Sequence, residues 1–142
     1  MNKRFLRLNL ICIFLIILMS GCKKEPTELI VGTWKLTGLT ADVPYDWNFD
    51  GVMETDLYAV FTACQKDNEL TLIVGSGRAK NDCNDTGRDI QWFKNYDVSR
   101  LEIWESTFAG KYDVMESTRK RLVMRKRVFL RADYHTYTFT RK

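Results

Sequence analysis

The sequence predicts an all-β domain, an antiparallel sandwich or closed barrel of about eight short strands with one or two short helical turns. Two observations carry this. Most of the chain after Thr27 alternates apolar and polar residues with period two. The alternating runs are short and separated by small turns, and no long helical period interrupts them. Closure into a barrel removes the strand edges that would otherwise template aggregation.

The chain opens on a leader. Lys3, Arg4 and Arg7 precede an unbroken apolar run from Leu10 to Met19, with no acidic residue before Glu25. Ten residues at 1.5 Å of rise cover about half of a ~30 Å hydrocarbon core, so the run is a signal-peptide core and not a membrane span. Residues 1–21 are therefore expected to be removed. The full chain has 22 Lys and Arg against 18 Asp and Glu. Without the three basic leader residues the balance is 19 to 18, a net charge of +1 that gives no global reason to bind nucleic acid.

The ending Met19-Ser20-Gly21-Cys22 resembles the bacterial lipobox, with Met19 where leucine is usual. That resemblance implies cleavage between Gly21 and Cys22, a diacylglyceryl thioether on Cys22 and an acylated new N-terminus. It implies a lipid-anchored protein of a bacterial cell envelope, at the outer membrane, with its face unassigned. Two or three acyl chains hold a protein durably where one does not. The competing reading is an ordinary secretory signal that leaves Cys22 a free thiol. Residues 22–28, with Lys23, Lys24, Glu25 and Pro26, read as a polar tether, and 29–142 as one domain.

Cys12 leaves with the leader and Cys22 carries lipid, so Cys64 and Cys83 remain as an even pair in an oxidising compartment. They are expected to form a disulfide. Two reduced, packed thiols are the alternative. A metal site is not expected, because His135 is the only histidine and no Cys-x-x-Cys occurs.

The strands follow in order. Trp34 and Leu36 share a face in 33–40, and Leu70, Leu72 and Val74 share one in 69–74, before the expected turn Gly75-Ser76-Gly77. Segment 89–94 holds Ile90 and Trp92, segment 100–104 holds Leu101 and Ile103, and 112–116 is another short strand. In 122–130, Leu122, Met124, Val128 and Leu130 fall together; in 135–141, His135, Tyr137, Phe139 and Arg141 do. Leu57, Val60, Phe61 and Cys64 have helical spacing, so 56–65 is expected to hold a short helix or helical turn, with a further turn at 28–31. No strand is expected in 81–88.

Gly32-Thr33-Trp34 at the entry to the first strand resembles the start of lipocalin-type barrels. With Ala63-Cys64-Gln65-Lys66-Asp67-Asn68, Cys83, Gly110-Lys111-Tyr112-Asp113-Val114 and Tyr137-Thr138-Phe139, the ordered set is similar to lipocalin-like lipoprotein domains of Bacteroidetes type. The resemblance covers about residues 30–142. It implies an up-and-down barrel in which Gly32, Trp34 and Arg141 pack the closed end, the guanidinium lying over the indole. It also implies a small apolar or amphipathic ligand as partner.

Other features receive plainer readings. Tyr45, Trp47 and Phe49 interleave with Asp42, Asp46, Asp50, Glu54 and Asp56 in the first long loop. This is either a ligand-gating lid or a solvated loop with its aromatics folded inward. Asp82, Asn84, Thr86 and Gly87 open like a calcium loop, but Phe93 stands where the closing Glu belongs, so a turn is preferred. Arg119, Lys120, Arg121, Arg125, Lys126 and Arg127 read as a hairpin with a solvated basic face. His135 reads as a packing residue, no Gly-x-Ser-x-Gly occurs, and an enzyme is not expected. The expected protein is a monomer without cofactor. A filled barrel whose loops contact an envelope partner is the alternative to ligand binding.

Overall fold

The computed structural model describes residues 29–81, 83, 86–94, 100–104, 106–128 and 133–142. The leader, Cys22 and the tether lie outside the described residues, as do Asp82, Asn84, Phe129 and Leu130.

Among the described residues, nine strands form one antiparallel sheet: β1 (Gly32–Tyr45), β2 (Glu54–Asp56), β3 (Glu69–Ile73), β4 (Ser76–Lys80), β5 (Arg88–Lys94), β6 (Arg100–Trp104), β7 (Gly110–Ser117), β8 (Arg121–Arg127) and β9 (Tyr134–Arg141). Consecutive strands from β3 to β9 pair in sequence order, β1 pairs with both β3 and β9, and β2 is an extra strand on β1. The result is an eight-stranded, up-and-down, closed barrel. One short helix, α1 (Ala63–Lys66), stands on its rim, and Leu29 and Ile30 form a helical turn before β1.

Alternation fills the barrel. Leu70 and Leu72, Leu101 and Ile103, Leu122 and Met124, and Phe139 are buried at alternate positions. β1 changes phase: Trp34 and Leu36 point inward, then a register shift between Leu36 and Gly38 turns Leu39 and Ala41 inward instead. That bulge keeps a long strand apolar inside on both sides of the bend.

Two sequence expectations are corrected. The turn after β3 is Val74-Gly75, with Gly75 at φ 78°, and Ser76 and Gly77 already belong to β4. β4 carries no apolar alternation because its inward positions are Gly77 and Ala79. A Cβ on Gly77 would stand 2.4 Å from the Thr71 carbonyl oxygen, so only glycine lets β3 and β4 approach. The second correction concerns 56–65. Asp56 ends β2, the Tyr58 N–H bonds to the Leu39 carbonyl at 3.1 Å, and the helix is confined to Ala63–Lys66. Thr62 and Gln65 form a capping box that starts the helix there. Leu57 and Phe61 have helical spacing because both turn onto the core, not because they share a helix.

The basic block does not form one face. Arg119 and Lys120 lie in the β7–β8 turn, Arg121 pairs with Glu116 at 3.3 Å, and Arg125 pairs with Asp42. Lys126 occupies the register position opposite Tyr112 and His135, and its Nζ bonds the Ala109 carbonyl at 2.9 Å.

Candidate functional site at the open end

The strand directions give the barrel two unlike ends. The first contains the start of β1, the β3–β4 and β7–β8 turns and the end of β9. Here Trp34 is wholly buried, and its Nε1 donates to the Ile30 carbonyl at 2.7 Å. The Arg141 guanidinium lies 4.6 Å from the Trp34 ring centroid, and its Nη2 donates to the carbonyls of Leu29 at 3.0 Å and Val31 at 2.9 Å. Gly32 makes room, since a Cβ there would come within 3.0 Å of Arg141 Cζ. Trp34 and Arg141 are paired residues in the β1–β9 register, so the plug is also the seam that closes the sheet.

The opposite end is built differently. β1 runs on to Tyr45 and folds back through residues 46–53 into β2. Tyr45 stacks on His135 with ring centroids 5.7 Å apart and planes 4° from parallel, and Trp47 meets the same ring edge-on at 6.3 Å. Trp47 continues onto Phe61 at 5.9 Å. Of the three aromatics of this segment, Tyr45 and Trp47 turn toward the barrel, while Phe49 stands away from it, 91% exposed and at φ 62°. The lid reading thus narrows to two rings.

α1 is fastened to the rim from two sides. Cys64 and Cys83 form a disulfide with Cα atoms 4.7 Å apart, within the usual bridging range. Just after the helix, Asp67 bridges Lys35 at 3.4 Å and Lys80 at 2.9 Å, and the two ammonium groups, Lys80 first, hold its carboxyl below the usual range.

Between α1, the hairpin and the barrel wall is a cavity of about 250 Å³. Leu36, Leu39, Trp47, Phe61, Phe108 and Tyr137 supply its apolar lining, and Gln65, Asn68 and Thr107 the polar part. No lining residue carries a formal charge. Below it, the Tyr112 hydroxyl donates to the Phe108 carbonyl at 2.7 Å. Burial pushes the Tyr112 phenol well above its ordinary value and lifts that of Tyr137 to about 12. A wider concavity of about 600 Å³ lies on the outer face of β3, β4 and β5, lined by Thr71, Ile73, Arg78, Asp89 and Gln91. It is a surface groove open to solvent, and none of the aromatic cluster reaches it.

The hairpin tip holds a pattern the sequence reading passed over. Asp46-Trp47-Asn48-Phe49-Asp50-Gly51 has the Asp-x-Asn-x-Asp-Gly spacing that opens calcium loops, more closely than residues 82–87 do. The closing position falls on Leu57, a fully buried core residue. Asp46 accepts the N–H groups of Asp50 at 3.0 Å and Gly51 at 2.9 Å, and Asp50 accepts that of Val52 at 2.8 Å. Among the described residues no group of three or more His, Cys, Asp or Glu side chains is placed to hold a metal. The carboxylates here shape the tip.

Gln65, Asn68, Thr107 and Phe108 were not singled out from the sequence as site residues. The only available signal for Gln65 was its position three residues after Thr62, which marks a capping box but not a cavity. A closed, up-and-down barrel plugged at one end and hollow at the other is compatible with a lipocalin-like fold. Comparison with known proteins adds no identification: no family model matches the chain, nor does any curated protein or solved structure.

Proposed function

We propose that the protein is a lipid-anchored, lipocalin-like binding protein of a bacterial envelope that holds a small apolar or amphipathic ligand at the open end of its barrel. The observation that carries this reading is the aromatic cavity beneath Trp47 and Phe61, opposite an end sealed by Trp34 and Arg141. Concave sites lined mainly by apolar and aromatic groups, with a few polar ones, are the usual form of small-molecule sites. The role is binding without catalysis: His135 is packed against Tyr45 and Trp47, as a structural ring would be. The anchor rests on Ser20-Gly21-Cys22.

Native mass spectrometry of protein taken from its own envelope should find one small molecule retained per chain. Only bare protein, across several preparations, would count against the reading. Cys22→Ala should leave the leader uncut or release the protein from the membrane fraction. An unchanged fractionation and N-terminal mass would remove the lipoprotein assignment.

A second reading has its own support. Phe49, Val52 and Met53 are exposed together at the hairpin tip, and the lower barrel is filled. A scaffold that presents this tip to an envelope partner would have these features.

A further inference from the structure

Where the chain enters the barrel decides which end can meet a lipid surface. Seven residue steps separate Cys22 from Leu29, so a lipid on Cys22 holds Leu29 within about 25 Å even if the chain between them is fully extended. Leu29 stands at the plugged end, where its carbonyl accepts from Arg141. From Gly32 to Tyr45, β1 covers about 43 Å at ~3.3 Å per residue. Tilted by ~40°, as barrel strands are, that is roughly 33 Å along the axis. The hairpin tip lies further still, so the open end is out of reach of the anchor.

The plugged end also carries the charge and the apolar point that such a surface accepts. In the β7–β8 turn, the Thr118 N–H donates to the Arg121 carbonyl at 2.8 Å and the Arg121 N–H to the Thr118 hydroxyl at 3.0 Å. The Arg141 N–H donates to the Lys120 carbonyl at 2.9 Å. These bonds hold the turn and leave Arg119 and Lys120 exposed. Arg121 is matched by Glu116 and Lys142 by Glu69, but neither Arg119 nor Lys120 has an acidic partner among the described residues. On the other side of the β9–β1 seam, the β3–β4 turn raises Val74, 88% exposed, with Ile73 half exposed behind it. The hairpin at the opposite end has the contrary charge: Asp42, Asp46, Asp50, Glu54 and Asp56 fall in a segment without Lys or Arg.

We infer that the plugged end docks on a bilayer containing anionic lipid, with Arg119 and Lys120 among the headgroups and Val74 entering the interface, and the open end turned to the aqueous side. The inference rests on the lipid-anchor reading above and adds which face meets the membrane.

The test uses the lipidated protein in nanodiscs of mixed phosphatidylethanolamine and phosphatidylglycerol, or of phosphatidylcholine alone, each doped with a gadolinium-chelate lipid. In the anionic discs, amide NMR signals of Val74, Gly75 and Lys120 should broaden strongly and those of Gly51 and Val52 should not. One Lys or Arg near an anionic surface changes binding about fivefold, so Arg119→Gln with Lys120→Gln should lower the ratio of docked to free orientations by about twenty-five-fold. Both side chains are exposed, so circular dichroism should match the parent. Phosphatidylcholine, or salt at about 1 M where the Debye length is ~3 Å, should act in the same direction. Broadening at Val74 and Lys120 that ignores both lipid charge and the double substitution would overturn the inference and leave the anchor reading standing. So would the strongest broadening at Gly51 and Val52, or at Phe93 and Trp104 on the barrel wall. An N-terminal mass without acyl chains would remove the anchor reading and the inference together.

Discussion

Trp34→Ala tests whether the plugged end is the structural foundation of the barrel. The side chain is 0% exposed. A buried aromatic removes ~150–250 Å² from water, which at ~25 cal/mol per Å² is about 4–6 kcal/mol as an upper bound. Measured truncations of buried aromatics fall at ~3–5 kcal/mol, because the site collapses only partly. The mutation also strips the Ile30 carbonyl of its donor and the Arg141 guanidinium of its ring. We expect a loss of about 4 kcal/mol, which at a urea slope of ~1.3 kcal/mol/M lowers the midpoint by about 3 M. Far-UV circular dichroism is the suitable signal, since the mutation removes a fluorophore. Trp34→Phe should fall between parent and alanine. Crossing it with Arg141→Met should reveal a coupling of ~0.5–2 kcal/mol from the cation over the indole. A destabilisation under about 1 kcal/mol for Trp34→Ala, with purely additive behaviour in the cycle, would refute the reasoning.

Three further outcomes are expected. Replacing Cys64 and Cys83 by alanine reopens a link across a sequence separation of 19 and should cost about 3 kcal/mol in the chain-entropy model, read by urea denaturation. Gly77→Ala forces a Cβ onto the Thr71 carbonyl and should destabilise by ~1–3 kcal/mol, with hydrogen exchange quickening in β3 and β4 first; parent-like exchange there would show that the close approach is not needed. In alkali, the folded protein keeps the Tyr137 proton to about pH 12 whereas the unfolded chain releases it near 10. That stabilisation is complete below pH 10 and is lost progressively up to 12, amounting to at most about 3 kcal/mol, with Tyr112 acting in the same sense. Absorbance at the tyrosinate band should therefore show late-ionising phenols that titrate normally once urea unfolds the chain.

The strands that could be read from the sequence are those whose inward residues are large. Leu70 and Leu72, Leu101 and Ile103, and Tyr137 and Phe139 announce their faces by period two. β4 was silent because its inward residues are glycine and alanine, and what selects them is a contact between strands that no local window contains. β2 has only three residues, none of them apolar, and exists because β1 overshoots the barrel. The plug was legible only through the resemblance of Gly32-Thr33-Trp34, with Arg141 on a late strand, to the start and end of lipocalin-type barrels. The cavity was not: Gln65 and Asn68 come from the β2–β3 connection and Phe108 from the β6–β7 connection, and they meet only once the barrel closes.

The pairing of Trp34 with Arg141 has a mechanical meaning. β1 begins and β9 ends at the same rim, side by side and antiparallel. A pull on the two strand ends there loads the ladder like a zipper, one rung after another, beginning at the indole and guanidinium. Once that clasp opens, the barrel becomes an open sheet with two raw edges on one molecule, each able to recruit a neighbour. The clasp is therefore a safeguard against aggregation as well as a source of stability. Variants that loosen it should form fibrous or clumped material while most of the chain is still folded.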